Sequence, residues 1–495
     1  MLQENKYYIT TPIYYVNDKP HIGHAYTTIV ADVLARFWRE KIGKENVYFL
    51  TGTDEHGAKI AESAAKLDID PQTFTDQVSA QFQLAWKNLD ISYDHFIRTT
   101  DEQHKKIVQE ILLKLKTAQT PQGNEVIYQS EYQGLYCVGC EKFILESELV
   151  NGWCPDHKKA PQKIAEKNWF FRLSDYLPSI INQIKNNELF IFPESRKNEV
   201  LGILEKQDLP DFSISRSRVS VPWGIDLPWD KDQKAYVWVD ALSNYITALD
   251  YPEGKNFQKF WPADCQLLAL DILKFHAIYW PAILMALDVP LPKVLNIHGF
   301  FTIDGQKMSK TIGNVIDPNI LVKTYGAEST KYLILSQFAF GAESDIRVED
   351  FPAKYNADLV NGLGNLVSRV TNMVEQYLGG RVNLSKDINT EFLQSVHAKI
   401  EQLKFRDALL EIWKLIQSAN VLVDTSKPWL LSKSENPADH KTLVEVLTTL
   451  SNDLYQIAWT LKVFMPNSAN SILALLSAEK IQKPVEPLFK RLENK

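Results

Sequence analysis

The run Thr10-Thr11-Pro12-Ile13-Tyr14-Tyr15-Val16-Asn17-Asp18-Lys19-Pro20-His21-Ile22-Gly23-His24, residues 10–24, decides the fold. It leaves a strand-like segment, Lys6–Thr11, and delivers two imidazoles flanking a glycine onto a helical run, Ala25 to Glu40. A helix that starts just after a strand presents converging N–H groups and a positive dipole end, which suits an anion. Gly23 lacks a Cβ, so a flat ring can approach the backbone there. Almost three hundred residues later, Lys307-Met308-Ser309-Lys310 sets two lysines around a serine, in a loop bounded by Asp304-Gly305 and Gly313-Asn314. Helix-start imidazoles and mobile ammonium groups make joint sense as grips on the two ends of a triphosphate, provided the fold unites them.

Outward from this run, strand and helix signals alternate: His24–Lys41 helical, Val47–Thr53 extended, Lys59–Leu67 and Pro71–Asp90 helical. Alternation of this kind predicts an α/β fold with a Rossmann-type, doubly wound parallel sheet, whose strand ends bind ligands. Thr11-Pro12 and Thr53-Asp54-Glu55-His56-Gly57 both fall just after strands. From about Thr117 to Ser217 the chain turns to short β-like pieces, cysteines and turns, read as an insertion. The α/β pattern resumes at Tyr236–Val239, Gln266–Leu273 and Lys293–His298, and beyond Pro352 nearly everything is helical. The expected division is a split catalytic domain (1–116 and 221–317), a connective insertion (117–220), a short region at 318–351 and a helical bundle at 352–495. A chain of 495 residues is too long for one core in any case.

Several classes are excluded. The apolar stretch Ala277 to Leu291 is broken by Pro281 and Asp288, short of the roughly 20 residues of a membrane span. The opening residues lack the apolar core of a signal peptide, and four cysteines suit a reducing cytoplasm better than a disulfide scaffold. The net charge of −7 disfavours nonspecific nucleic-acid binding, yet residues 351–495 carry 17 Lys and Arg against 15 Asp and Glu. Selective RNA contact through loops and stacking remains open to such a chain.

Cys137-x2-Cys140 and Cys154-x2-His157 are separated by thirteen residues, with Gly139, Gly152 and Pro155 supplying turns. Three thiolates and an imidazole close a tetrahedral site, so one structural Zn²⁺ is expected; a redox dithiol is the alternative. Cys265, beside an apolar strand, reads as a small core residue.

Taken together, the two basic motifs and their order resemble the class I aminoacyl-tRNA synthetases. The opening run, Thr51-Gly52-Thr53-Asp54-Glu55-His56-Gly57, Tyr236-Val237-Trp238-Val239-Asp240-Ala241-Leu242 and Asn296-Ile297-His298-Gly299 narrow the resemblance to the methionyl-tRNA synthetase family, across nearly the whole chain. The cysteine pattern is similar to that family's single-zinc knuckle. The resemblance implies that methionine is held by Ile13, Tyr15, Asp54, Trp238, Tyr245, His276 and Trp280, with Tyr279 as an addition. It implies ATP contacts from His21, Gly23, His24, Asp271, Lys307, Ser309 and Lys310, with Mg²⁺ on the phosphates. Arg216 then meets adenosine or the reacting groups, and Asn365, Arg369 and Trp429 meet the anticodon of tRNA(Met). Residues 318–351 take the stem-contact role.

The implied reaction forms methionyl-adenylate and pyrophosphate, then moves the methionyl group to the 3′-terminal ribose of tRNA. His21, His24, Lys307 and Lys310 act by alignment and charge stabilisation. The family usually reads Gly-Lys-Asp-Ile where this chain has Ala269-Leu270-Asp271-Ile272. That removes a cation and adds a Cβ near ATP, and it keeps a catalytically silent paralogue as the rival reading. The roughly 100-residue insertion is too small for the editing domain of the isoleucine, leucine and valine enzymes. No barrel-like appendix is read after the helices, so a monomer is the default expectation.

Overall fold

The structure, a computed structural model, describes all residues except 1–5, 138–141, 145, 156–157, 207–208, 300, 304, 308–313 and 493–495. It divides into two compact units, residues 1–86 with 92–300 and residues 87–91 with 301–495.

The first unit is built on a six-stranded sheet. Its strands are β1 (Tyr7–Tyr15), β2 (Val47–Asp54), β3 (His95–Arg98), β4 (Phe190–Phe192), β5 (Cys265–Ala269) and β6 (Val294–His298). They run in the order β3-β2-β1-β5-β6-β4, every pair parallel. The order reverses direction at the β1–β5 boundary, the switch point where doubly wound sheets bind ligands. Pairing of β1 with β5 runs through Ile9–Cys265 and Thr10–Gln266. Two features depart from the sequence reading. β4 comes from within the expected insertion; at three residues it carries no periodicity to betray it. Tyr236–Val239, which alternates like a strand, instead opens helix Val237–Thr247, with Tyr236 at the N-cap in extended geometry. Burial explains the override: Val239, Leu242, Tyr245 and Ile246 belong to the same buried apolar cluster as the sheet residues Tyr8, Leu50, Leu268 and Leu295.

The insertion is dominated by a long antiparallel hairpin, Ile127–Cys137 against Gln162–Phe171, in unbroken register from Ile127–Phe171 to Tyr136–Gln162. At its far end Val150 and Trp153 pair across Asn151 and Gly152, whose φ angles of 53° and 80° suit a two-residue hairpin turn.

In the second unit, Phe301–Ile303 pairs antiparallel with Gln306–Lys307 and parallel with Ser344–Ile346. Helices follow, as expected from Pro352 onward. In Phe405–Ser426 the buried Leu409, Ile412, Ile416, Ala419 and Val423 recur at steps of three and four, one apolar stripe turned inward. The helix stops where Lys427 takes a left-handed φ of 48° and Pro428 starts a new short helix.

Candidate active site

Pro12 organises the carboxyl end of β1. Proline has no N–H to donate, so it is accommodated at a bulge, and the register to β2 shifts between Thr10–Leu50 and Ile13–Gly52. The extra residue reverses the alternation of side chains. Ile13 and Tyr15 thereby fall on the same face as Tyr8 and Thr10, and Tyr15 stands opposite Asp54 at the end of β2. Gly52 is obligatory in this arrangement, because a Cβ would lie 2.0 Å from the carbonyl oxygen of Ile97 on β3. Tyr14 is thrown to the other face, where its ring packs on His24, Phe82 and Trp86.

Ile13 packs against an apolar cluster rich in aromatic rings. Trp238 lies parallel to Phe275 with centroids 3.7 Å apart. Tyr245, His276 and Trp280 are sealed behind it, at 1%, 2% and 0% exposure. His276 Nδ1 meets the carbonyl of Ile272 at 2.9 Å and must donate to it. In the neutral ring Nε2 is therefore an acceptor, and the Tyr245 hydroxyl donates to it at 2.7 Å. Burial lowers His276 to about 4, so the ring is neutral at physiological pH. The cluster is uncharged and aromatic, which suits a polarisable sulfur and gives a charged side chain no partner. Tyr279 stacks on Phe212 at 4.2 Å.

On the opposite face, helix α1 (Ile22–Ile42) begins with a reciprocal cap made by the two histidines. The Gly23 N–H donates to His21 Nδ1 at 3.1 Å, and the His21 N–H to His24 Nδ1 at 3.4 Å. Both Nδ1 atoms being acceptors, each neutral ring carries its proton on Nε2. The rings stack at 3.7 Å. Burial first, and then the neighbouring His21, hold His24 well below the ordinary histidine range. The helix thus presents two oriented N–H donors on neutral rings, with no two positive charges set side by side.

Arg216 is 4% exposed; its Nη1 donates to the Ser215 carbonyl at 2.7 Å and its guanidinium lies 4.2 Å from the Tyr236 ring. Asp271 is exposed in the turn Leu270–Ile272 that follows β5, and Leu270 packs against the core in place of the family's cation.

Lys307 ends the hairpin of the second unit. Ahead of it Asp345 Oδ1 accepts from the Thr302 hydroxyl at 2.6 Å and the Gly305 N–H at 2.7 Å. Ser309 and Lys310 lie outside the described residues, as do Cys140 and His157 of the expected zinc site. Cys137 and Cys154, at 3% and 1% exposure, share a small cluster with Ile144. Three such residues cannot sustain a fold by burial alone, and two thiols meeting there fit a metal-held knuckle. Cys265 is buried as expected; its thiol, pushed up to about 12 by burial, accepts from Asn296. Among the helices, Asn365 is exposed one turn before Arg369, whose guanidinium donates to Asp424 at 2.7 Å. Trp429 is partly exposed on the short helix Pro428–Leu431.

Sequence reasoning did not assign the groups around Asp54. Glu55, wholly buried, accepts from both Arg98 Nε and Nη2 at 2.7 Å and from the Thr100 hydroxyl. His56 Nδ1 and His104 Nε2 each lie 2.7 Å from one oxygen of Asp240. His298 Nε2 bonds Thr27 at 2.8 Å. Glu55, His56, Asp240 and His298 stood inside the quoted motifs, whereas nothing local marks His104.

A family model described as tRNA synthetases class I (M) matches residues 7–165 and 157–371. The methionine–tRNA ligase of Caldanaerobacter subterraneus subsp. tengcongensis is 43% identical over 482 residues, covering 95% of this chain and 74% of that protein. The Thermotoga maritima methionine–tRNA ligase is 38% identical, covering 99% and 81%. Among solved structures, Mycobacterium tuberculosis methionyl-tRNA synthetase in complex with methionyl-adenylate superposes with a TM-score of 0.90 at 36% identity, covering 98% of this chain and 100% of that one. Its free-state crystal structure gives 0.82 at 32% identity, covering 99% of each.

Proposed function

This chain belongs to the class I methionyl-tRNA synthetases, and on that premise we propose how its residues divide the reaction. The enzyme is a methionine–tRNA ligase: it activates methionine with ATP, releasing pyrophosphate, and transfers the methionyl group from the adenylate to tRNA(Met).

The observation that carries the residue assignment is the Pro12 bulge, which places Ile13 against the apolar cluster that holds Trp238, Tyr245 and Trp280 and sets Tyr15 opposite Asp54 at the end of β2. In our reading the thioether lies among these rings, with Trp238 as a wall. The α-ammonium pairs with Asp54, whose carboxylate at the strand end gains a cation on binding. His21 and His24 donate Nε2–H to ATP phosphates, Gly23 leaves room for the adenine, and Lys307, Ser309 and Lys310 hold the pyrophosphate end. Asp271 and Arg216 contact adenosine or the reacting groups. Mg²⁺ accompanies ATP as part of the substrate.

The methionine carboxylate attacks the α-phosphorus, the bond to the β-phosphate oxygen breaks, and pyrophosphate leaves. The ribose hydroxyl of tRNA next attacks the methionyl carbonyl and displaces AMP. Neither step forms a covalent bond to the enzyme, so these side chains act by aligning the reactants and stabilising charge. Asn365 and Arg369 read unpaired base edges and Trp429 stacks a base. One structural Zn²⁺, held by Cys137, Cys140, Cys154 and His157, ties the knuckle. A cytoplasmic monomer is the proposed working form.

Amino-acid-dependent ATP–pyrophosphate exchange across the twenty amino acids tests the substrate, with exchange expected for methionine alone at low concentration. A Lys307→Ala variant is expected to lose exchange rate while keeping methionine affinity; an unchanged rate constant removes Lys307 from the assignment.

A further inference from the structure

Asp240 sits at the first turn of helix Val237–Thr247, two residues after Trp238 and five before Tyr245. It is 1% exposed, and each carboxylate oxygen meets one imidazole at 2.7 Å, His56 on Oδ2 and His104 on Oδ1. His104 is itself oriented: its Nδ1 meets the Thr247 hydroxyl at 2.7 Å, at the far end of that helix. His56 belongs to the loop that leaves β2 with Asp54. Trp223 grips this loop from outside, its indole N–H donating to the Glu55 carbonyl at 2.7 Å and its carbonyl accepting from the Gly57 N–H at 3.0 Å. Burial would raise the Asp240 carboxyl, but His56 and His104 outweigh it and hold it below the usual carboxylate range.

An ionised carboxylate this deep demands both N–H donors, and truncating one leaves a charge without its partner. The geometry is directional as well. Each imidazole is fixed in rotation by its bond to Asp240, and the loop and the helix can separate only by breaking the His56 bond.

We propose that Asp240, with His56 and His104, is a positioning unit for methionine. It locks the Asp54 loop to the helix bearing Trp238 and Tyr245, so that the ammonium contact and the thioether pocket keep a fixed separation. The inference rests on the reading above that Asp54 pairs with the α-ammonium. None of the three residues touches the reacting atoms. Their effect passes through Asp54, and it should therefore vanish once Asp54 no longer makes its contact.

The test is a comparison of His56→Ala, His56→Asn, Asp54→Asn and the double variant Asp54→Asn/His56→Ala in ATP–pyrophosphate exchange, with the full-length enzyme and a melting curve for each. The asparagine amide can replace the Nδ1–H donor, so His56→Asn is the conservative rescue. His56→Ala is expected to raise the methionine KM by about tenfold, the scale of one charge-assisted hydrogen bond, with the ATP KM unchanged. His56→Asn should recover most of that loss, and the double variant should be no worse than Asp54→Asn alone. Parallel rises in both KM values, absence of rescue by asparagine, or additive effects in the double variant would overturn the proposal and leave His56 a stability residue. If Asp54→Asn by itself leaves the methionine KM unchanged, the ammonium assignment has failed instead, and the positioning role fails with it. Should His56→Ala not fold, His104→Gln against His104→Ala gives the same comparison on the other oxygen.

Discussion

Tyr245 donates its phenolic hydrogen to Nε2 of His276 across 2.7 Å, and it has no second hydrogen to give. In the methionine pocket proposed above, the pair would therefore offer the thioether soft aromatic surface and lone pairs, without a polar hydrogen. Discrimination by such a pocket rests on shape and on sulfur–aromatic contact, worth about 0.3–1.5 kcal/mol. Norleucine, with a methylene for the sulfur, is expected to be activated with kcat/KM roughly tenfold below methionine and not several orders below. Tyr245→Phe leaves a buried acceptor unmatched, at a cost of about 1–3 kcal/mol, and should raise the methionine KM about tenfold. Exchange kinetics with the two amino acids measure both effects.

The reciprocal cap of α1 gives His21 two separable duties. Its Nδ1 closes the helix, and its Nε2 hydrogen faces the chemistry we assign to it. Asparagine can supply the capping acceptor but no Nε2–H. His21→Asn should melt close to the parent yet lose exchange rate by about a hundredfold, the scale of one lost transition-state donor. His21→Ala should show the same rate loss and a further destabilisation of about 1 kcal/mol from the missing cap. Equal melting of the two variants would mean that the cap carries no stability.

Acid should weaken the first unit well above the carboxylate range. Burial lowers His276 and His298 to about 4, while an unfolded chain takes up those protons near pH 6.5. Between these limits the unfolded state binds more protons, so stability falls as pH drops from about 6.5 toward 4. The slope is about 1.4 kcal/mol per pH unit for each fully differing proton. Asp453, raised to about 6 by burial, pulls the other way in the second unit. Thermal midpoints recorded from pH 7 to 4.5 check the sign, and His298→Gln should flatten the first unit's dependence by about one proton.

Asp345 ties the turn ahead of Lys307 through two hydrogen bonds to a single oxygen. Those donors, rather than any salt link, lead in holding its carboxyl below the ordinary range. Asp345→Ala releases both tethers. The expected result is adenylate formation slowed about three- to tenfold with methionine affinity intact, since positioning of the lysine and not binding is lost. Rapid-quench measurement of adenylate formation separates the two quantities.

Local signals read the central architecture well where they were strong. Aromatic and β-branched residues running into a helical pattern at Ala25 marked β1 and α1. The length and periodicity of the segments after Pro352 marked the helices. What escaped was set by partners. The bulge at Pro12 has meaning only against β2, because it decides which face Ile13 and Tyr15 occupy. The three residues of β4 acquire strand character only beside β6. Asp240 finds its imidazoles 184 and 136 positions away along the chain, a distance over which composition and spacing carry nothing. Ala269-Leu270 was visible as a departure, and packing gives it a plain role: Leu270 rests, partly buried, against the apolar core.

The insertion hairpin has an engineering consequence. Its strands stay in register rung by rung from Ile127–Phe171 outward, so the polypeptide crosses from one strand to the other at matched heights. Cutting at the Ser130–Asn168 rung and bridging with a two-residue turn would remove the segment that carries Cys137, Cys140, Cys154 and His157 while sparing the three rungs beneath. The tip, to which we assign the zinc ligands, is thus a cartridge on a graduated stem, one that can be shortened, exchanged for another tip, or lengthened in steps of two residues that keep each side chain on its own face.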